Sequence, residues 1–251
     1  MLNHATIERL RALRLKGMAE AFAAQLQHPD MHSLSFEERL GLLVDLEWTY
    51  RQNRRLARLL QAAKLRLPAC MEDIDYHQPR GLDRTLMRTL ATCQWVQNHQ
   101  HILVVGPTGV GKTYVACALA NAACRQGYST RYYRVPRLLT DLATAKADGS
   151  YPRLMSSLAR TEVLVLDDWG LAPVSAADSR DILDIIDDRT QKRSTIVASQ
   201  LPIDHWHASI GDPTVADAIL DRLVHQSYKL VLKGESMRKV AKTSPPNVPT
   251  E

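Results

Sequence analysis

Hydrophobic and polar positions follow a helical periodicity over the first third of the chain. Apolar residues that recur every three or four positions predict one helix, which ends at Pro29 and carries Ile7, Leu10, Met18, Phe22 and Leu26, with Arg14 in the same register. A second helix should follow at once. Ser35 and Glu38 have the spacing of a capping box, and the apolar stripe behind them continues to about Leu67, where Pro68 ends it.

The pattern changes at His101, where short apolar runs begin to alternate with helical stretches. This order is typical of a parallel sheet with crossover helices, so the chain is predicted to have an α/β fold. Five strands are expected, at 102–105, 129–133, 163–166, 195–199 and 228–232. All except the second and the last are almost purely apolar, which predicts burial on both faces. Residues 71–82, with Pro79 and Gly81, are predicted to form a linker, and the Pro-rich residues 243–251 a loose tail.

Composition narrows the class of protein. With 45% hydrophobic and 24% charged residues among 251, the chain matches ordinary globular domains. No apolar run approaches the roughly 20 residues that a membrane span needs, and no secretory signal is evident, so we expect a cytoplasmic protein without a membrane partner. The four cysteines form no CxxC pair, which favours buried thiols in a reducing compartment.

A glycine-rich loop gives the strongest chemical signal. The segment Gly106-Pro107-Thr108-Gly109-Val110-Gly111-Lys112-Thr113 has the P-loop form and lies between a predicted strand and a predicted helix. In such a loop the backbone N–H groups turn towards one anion, the lysine reaches the β and γ phosphates, and the threonine hydroxyl ligates Mg²⁺. The sequence therefore predicts a site for ATP and Mg²⁺.

A pair of acids at the end of the third strand supplies the partner that a P-loop needs. Asp167 is predicted to hold Mg²⁺ together with Thr113, and Asp168 to polarise the attacking water. A strand that ends in a solvated acidic turn would show the same local pattern, but its position after a P-loop favours the catalytic interpretation.

These motifs resemble the AAA+ ATPases of the DnaC/IstB type, and among them the IstB-like helper ATPases of bacterial insertion-sequence transposition. The resemblance spans about Gly81 to Lys239 and rests on GPTGVGKT at 106–113, LVLDDWG at 164–170, TIVASQLP at 195–202, AILDRL at 218–223 and GESMRK at 234–239. It implies an AAA+ P-loop core, a small N-terminal helical domain and a truncated C-terminal lid, since only 19 residues follow Leu232. Domain limits of 1–70, 71–242 and 243–251 are expected.

The resemblance also implies roles for single residues. Gln200, with Ser199 beside it, looks like the sensor 1 residue, and Arg238 looks like the sensor 2 residue that contacts the nucleotide. Arg222 looks like the arginine finger that one subunit of a homo-oligomer gives to the next; Arg189 and Arg193 are the next candidates. Asp168 stands where the broader AAA+ class commonly carries Glu.

Double-stranded DNA and a transposase are the partners that the resemblance implies, and the charge distribution gives separate support for nucleic acid. Residues 125–160 carry seven basic and two acidic side chains. Arg134, Arg137, Lys146 and Arg153 are predicted to contact DNA phosphates without reading sequence, although a solvated surface would have the same composition. A basic face at Arg51, Arg54, Arg55 and Arg58 suits DNA, an acidic partner or plain solvent.

Three functions follow from these motifs. The first is an ATP-dependent DNA-binding ATPase that assists a transposase. The second is a replicative helicase loader of the DnaC type, which would act on single-stranded DNA. A P-loop small-molecule kinase is disfavoured because it has no use for sensor and finger residues. The 6% aromatic content offers few stacking platforms for single strands, which favours duplex DNA.

Overall fold

One sheet of five parallel strands forms the centre of the protein. The computed structural model describes residues 2–237, and its strands are β1 (His101–Val105), β2 (Thr130–Arg134), β3 (Val163–Trp169), β4 (Ser194–Ser199) and β5 (Ser227–Val231). The strand order is β2-β3-β4-β1-β5, and every neighbouring pair is parallel. All five predicted strands are confirmed; β3 runs three residues further than predicted and includes Asp167 and Asp168.

Strand burial follows the hydrophobic pattern. Every residue of β1 and β4 is buried, and so is every residue of β3 except Asp168. The two strands with more polar sequences, β2 and β5, form the edges of the sheet, where one side of the backbone meets no further strand. The prediction that only the second and last strands would be incompletely buried is therefore confirmed.

Helices cover both faces of this sheet and form a separate apolar cluster on each. The helices that follow residue 80 are α4 (Arg84–Ala91), α5 (Gln94–Gln97), α6 (Lys112–Arg125), α7 (Val135–Asp148), α8 (Tyr151–Arg160), α9 (Ala176–Arg189), α10 (Trp206–Ser209) and α11 (Pro213–Val224). The cluster around α6 includes Ile102, Val104 and Val165, whereas Leu103, Leu164 and Val197 point to the opposite face. This alternation along buried strands is what period-two geometry requires.

The first helical stretch is broken where one helix was predicted. Two helices form instead, α1 (Leu2–Ala12) and α2 (Lys16–Gln27), and Arg14 between them has the left-handed φ of 61°. A 3₁₀ turn at Pro29–Ser33 follows, and then α3 (Phe36–Ala63). A Cβ on Gly17 would lie 2.8 Å from the Cβ of Tyr50, so α2 begins in close contact with α3 just after the break.

The start and the end of α3 differ in how well the sequence predicts them. Its start is confirmed: Ser35 Oγ accepts from the Glu38 N–H at 3.2 Å, and a Glu38 carboxylate oxygen accepts from the Ser35 N–H at 2.8 Å. Its end comes earlier than the predicted Leu67. The helix stops at Ala63, and Lys64 has a φ of 51°, which turns Leu65 towards the core cluster around α6.

The chain divides into two compact units between Arg58 and Leu59, inside α3. Residues 71–82 form neither helix nor strand, as expected for a linker, but Ile74 and Arg80 are buried within the second unit. The predicted domain limits 1–70 and 71–242 stay predictions. The tail at 243–251 lies outside the described residues.

Arg189, at the end of α9, is a fully buried cation. It lies at the start of β4, the end of the sheet opposite the P-loop. Its guanidinium donates to the carbonyl oxygens of Leu158 at 2.6 Å and Thr161 at 2.7 Å, to the Ser194 carbonyl, and to Thr195 Oγ1 at 3.2 Å. Burial, and to a lesser extent Arg193, lowers the pKa of Arg189 to about 9, so the side chain still carries its charge at pH 7. These bonds tie together α8, α9 and β4.

The remaining expectations concern cysteines and membranes. Cys93, Cys117 and Cys124 are buried, as predicted, and Cys70 is partly exposed. Among residues 2–237, no helix has both the length and the apolar character that a membrane span requires.

Candidate nucleotide-binding site

The glycine-rich loop lies at the carboxyl edge of the sheet, between the end of β1 at Val105 and the start of α6 at Lys112. Gly111 directly precedes α6 with a φ of 98°, a left-handed conformation that glycine adopts readily. Free N–H groups at a helix start, together with the helix dipole, favour an anion there. The predicted P-loop geometry is thus present.

Close packing against the loop explains why two of its positions are glycine. A Cβ on Gly109 would lie 2.2 Å from Ser236 Oγ, and one on Gly111 would lie 2.6 Å from a guanidinium nitrogen of Arg80. The same nitrogen donates to the Val110 carbonyl at 3.1 Å, and the Met237 N–H donates to the Gly109 carbonyl at 2.9 Å. The loop is therefore held from below by a buried arginine and from one side by the segment after β5.

A cavity of about 370 Å³ opens next to the loop. Its walls come from the P-loop, the ends of β2, β3 and β4, and the segment after α3. They include Thr108, Gly109, Gly111, Lys112, Thr113, Arg66, Arg134, Asp167, Asp168 and Gln200. Three cations and two carboxylates line this space, which leaves a net positive charge for an incoming phosphate chain.

Asp167 is the most buried acid of the cavity, with 2% of its surface exposed. One carboxylate oxygen accepts hydrogen bonds from Thr113 Oγ1 at 2.8 Å and from the Tyr132 hydroxyl at 2.6 Å. Burial, reinforced by Asp167, strongly raises the pKa of Tyr132, so this phenol remains a donor at neutral pH. The structure brings together Thr113 and Asp167, the two residues predicted to hold Mg²⁺.

Asp168 adopts an unusual backbone conformation. Its φ is 59°, and the register between β3 and β4 shifts between Leu166 and Trp169, so β3 bulges where the two acids stand. The bulge turns Asp168 towards the cavity, where Arg134 Nε donates to its carboxylate. Arg66 Nη1 lies 3.8 Å from Asp167 Oδ2 and 3.9 Å from Asp168 Oδ2.

Lys112 and Gln200 complete the cavity. Lys112 Nζ donates to the Pro107 carbonyl at 2.7 Å; burial lowers its pKa, while Asp167 and Asp168 oppose that shift. Gln200 Oε1 accepts from Thr108 Oγ1 at 2.7 Å, so the end of β4 contacts the P-loop directly. These donors, the glycine cradle and the Thr113–Asp167 pair fit a nucleotide with a divalent cation.

Several predicted site residues lie elsewhere. Arg222 Nε donates to Asp187 at 2.7 Å and does not line the cavity of its own chain. Arg238 lies outside the described residues. Arg189, an alternative finger, is fully buried and bonded to backbone carbonyls and to Thr195 Oγ1, so it cannot reach a neighbouring subunit.

The four residues predicted to contact DNA differ in their surroundings. Arg134 faces the nucleotide cavity, and Lys146 Nζ donates to both carboxylate oxygens of Asp181, at 2.6 and 2.7 Å. Arg137, on α7, pairs with Asp141 at 3.2 Å and is largely exposed, and Arg153, on α8, is exposed.

Three residues of the site were not singled out by the sequence: Arg66, Arg80 and Tyr132. Tyr132 could have been found, because it shares a face of β2 with Arg134, two positions on, and that strand lies beside β3. Arg66 belongs to the basic run at 51–66, whose other members are not predicted to line the site. Arg80 lies in a segment without hydrophobic periodicity. Only the folded chain brings these two arginines to the P-loop.

The crowding at Gly111 yields a test with a matched control. Gly111→Ala and Gly149→Ala both place Ala at a positive φ, 98° and 78°, which costs about 1 kcal/mol of stability. Only at Gly111 does the new Cβ meet Arg80, since nothing lies within 4 Å of Gly149. Gly111→Ala should lose at least about tenfold in ATP affinity, equivalent to 1.4 kcal/mol, and Gly149→Ala should lose none. Equal affinities of the two variants in a calorimetric titration would contradict this account of the loop.

Comparison with known proteins finds relatives that are named as ATP-binding proteins of insertion sequences. The chain is 48% identical over 239 residues to a protein of Sinorhizobium fredii named as an insertion sequence ATP-binding protein, covering 95% of this chain and 98% of the relative. It is 51% identical over 203 residues to a protein of Pseudomonas fluorescens named as the ATP-binding protein of insertion sequence IS1162, covering 80% and 88% of the two chains.

Among solved structures, the DnaC helicase loader is similar in fold, with a TM-score of 0.55 and 21% identity over 68% of this chain and all of that one. The AAA+ P-loop fold expected from the motifs is thus confirmed. The family model described as IstB-like ATP binding protein matches residues 8–244, so the chain belongs to the IstB-like ATP-binding proteins of insertion sequences.

Proposed function

We propose that this protein is an ATPase that assembles on duplex DNA with ATP and assists a transposase in target selection and transposition. The observation that carries the proposal is the pairing of Thr113 with Asp167 at 2.8 Å beside Lys112, in a chain of the insertion-sequence ATP-binding family. Full-length similarity to insertion-sequence proteins supports transposition over other AAA+ functions.

Four residues of the cavity have a part in the proposed hydrolysis. Thr113 and Asp167 would hold Mg²⁺, which supplies positive charge to the β and γ phosphates when bound. Lys112 exchanges the Pro107 carbonyl for a phosphate oxygen. Asp168 orients a water whose oxygen bonds to the γ phosphorus as the bond to the β–γ bridging oxygen breaks, and the water proton passes to the Asp168 carboxylate. The products are ADP and phosphate.

Two variants separate nucleotide binding from hydrolysis. Lys112→Ala should weaken ATP binding and abolish ATP-supported DNA binding, because the loop amides alone cannot replace its charge. Asp168→Asn should keep ATP affinity within a few fold and lose most hydrolysis, which stabilises the ATP-bound assembly on DNA. Nucleotide titration, phosphate release and DNA mobility shifts measure the three quantities. An Asp168→Asn protein that hydrolyses ATP at the parental rate would show that another residue activates the water.

Hydrolysis is proposed to need a second subunit of a homo-oligomer. Among the described residues, Arg222 does not line the cavity of its own chain and pairs with Asp187 instead, so it would act on the nucleotide of a neighbouring subunit. An arginine supplied by a neighbour raises such rates by roughly 10³ to 10⁵. Arg222 would have to leave Asp187 to act in this way.

Mixing defective proteins tests that arrangement. Arg222→Ala and Lys112→Ala should each hydrolyse ATP poorly, yet their mixture should recover part of the activity, because some sites combine an intact P-loop with an intact finger. The control mixture of Lys112→Ala with Asp168→Asn should recover nothing, since no site then has an intact P-loop and an intact Asp168. No recovery in the first mixture, under conditions where hetero-oligomers form, would exclude Arg222 as a finger in trans.

Duplex DNA is proposed to contact the α7–α8 segment through Arg137 and Arg153. Arg134 and Lys146 are not retained as proposed DNA contacts, because each pairs with a largely buried carboxylate, Asp168 or Asp181, whereas Arg137 pairs with the more exposed Asp141. The two remaining arginines lie on neighbouring helices and are open to solvent.

Salt dependence of DNA affinity measures how many phosphates these side chains neutralise. Each contact contributes about −0.9 to the slope of log affinity against log salt, so replacing Arg137 and Arg153 with Ala should flatten the slope by about 2. Lys146→Ala should leave it nearly unchanged, because Asp181 holds that ammonium. A slope that responds to Lys146 and not to the arginine pair would place the DNA elsewhere.

The N-terminal helical unit is proposed to bind the transposase. Phe36 and Trp48, on α3, are 65% and 66% exposed, which is unusual for large apolar side chains in a free domain. The basic face that begins at Arg51 follows on the same helix, and an acidic, apolar partner surface would complement both. We propose that the protein acts in the bacterial cytoplasm, where its DNA is found.

A helicase loader remains the second candidate, and the DnaC-like fold favours it. Duplex and single-stranded DNA of equal length distinguish the two functions. ATP-dependent preference for the duplex supports the transposition helper, whereas preference for the single strand supports the loader.

A further inference from the structure

The side chain of Arg66 reaches the nucleotide cavity from a segment that belongs neither to the P-loop nor to the sheet. After α3 ends at Ala63, Leu65 packs against the core and Leu67 lines the cavity, so the intervening Arg66 is held at its mouth. This placement comes from packing on both sides of Arg66. The guanidinium of Arg66 is therefore held in the site by the packing of its two neighbours.

Among the cations of the cavity, Arg66 lies beside both acids without a hydrogen bond to either. Its nearest approaches to Asp167 and Asp168 are 3.8 and 3.9 Å, beyond hydrogen-bond distance, whereas Arg134 makes a direct hydrogen bond to Asp168. Its side chain is 42% exposed, and Tyr132 also contacts it. A planar guanidinium so placed can turn from the acids to a phosphate with little cost.

We propose that Arg66 binds the terminal phosphate of the nucleotide in its own subunit and makes the site prefer ATP to ADP. The inference rests on the proposed function, since it assumes that the cavity binds ATP. Arg66 faces both Asp167, which would hold the metal, and Asp168, which would orient the water. The terminal phosphate is the group on which both the metal and the water would act. Guanidinium groups bind phosphate oxygens in pairs, which a single ammonium cannot do.

A purely structural role for Arg66 predicts a different result. If it only balanced Asp167 and Asp168, its loss would weaken ATP and ADP alike, because the acids are present with either nucleotide. If it only held the segment after α3, its loss would lower stability. Discrimination between the two nucleotides is the property that only a phosphate contact changes.

The experiment compares Arg66→Gln with Lys64→Gln in the full chain. Both replace one exposed cation of the same short segment with the same side chain, but Lys64 does not line the cavity. Calorimetric titration with Mg²⁺ and either ADP or the non-hydrolysable β,γ-methylene analogue of ATP gives both affinities. Denaturant unfolding checks that each variant is folded.

Arg66→Gln should bind the ATP analogue about tenfold to a hundredfold more weakly, the range expected for one charge-assisted hydrogen-bonded contact, and should bind ADP within about threefold of the parental protein. Arg66→Lys should restore part of the preference, and it keeps the test informative if Arg66→Gln unfolds. Lys64→Gln should change neither affinity.

Two results would overturn the proposal: equal weakening of both nucleotides, or no change in either. Failure of the unaltered protein to bind any nucleotide would instead refute the nucleotide site itself. Parental binding of both nucleotides with unchanged discrimination in Arg66→Gln rejects only the role of Arg66.

Discussion

The buried carboxylate of Asp167 is the constraint that organises the rest of the site. A lone ionised carboxylate in so dry a place would cost several kcal/mol, and the fold offsets this cost with donors and nearby positive charge. Thr113 and Tyr132 donate to one oxygen, and the main-chain N–H of Asp168 donates to the other at 2.9 Å. The end of β2, the bulge of β3 and the start of α6 must therefore meet at one point, which fixes the P-loop relative to the sheet.

Strand order makes that meeting possible. Because β1 lies between β4 and β5, the P-loop is flanked on one side by the end of β4 and on the other by the segment after β5. The first neighbour brings Gln200 to Thr108, and the second brings Ser236 and Met237 to Gly109. A loop that needs positive φ angles is thus supported by tertiary packing, which holds its N–H groups in place before a ligand arrives.

Local signals in the sequence account for the strands, the P-loop and the acid pair, because apolar runs and glycine spacing act within a few residues. The break at Arg14, the end of α3 at Ala63 and the two arginines beside the P-loop depend on contacts between distant segments. Gly17 lies against Tyr50 and Leu65 against the core close to these helix ends, and no periodicity reveals either contact. Composition also could not separate Lys146 and Arg134, which pair with largely buried carboxylates, from Arg137 and Arg153, which are exposed.

Arg189 has a consequence for how the domain forms. Its donors reach carbonyls that lie 31, 28 and 5 residues away in the chain, so they are satisfied only when α8, α9 and the start of β4 have all arrived. A partly assembled chain would hold a dehydrated cation without acceptors, which makes such intermediates unfavourable. The start of β4 should consequently unfold only with the whole core, and its amide protons should be among the slowest in the protein to exchange with solvent.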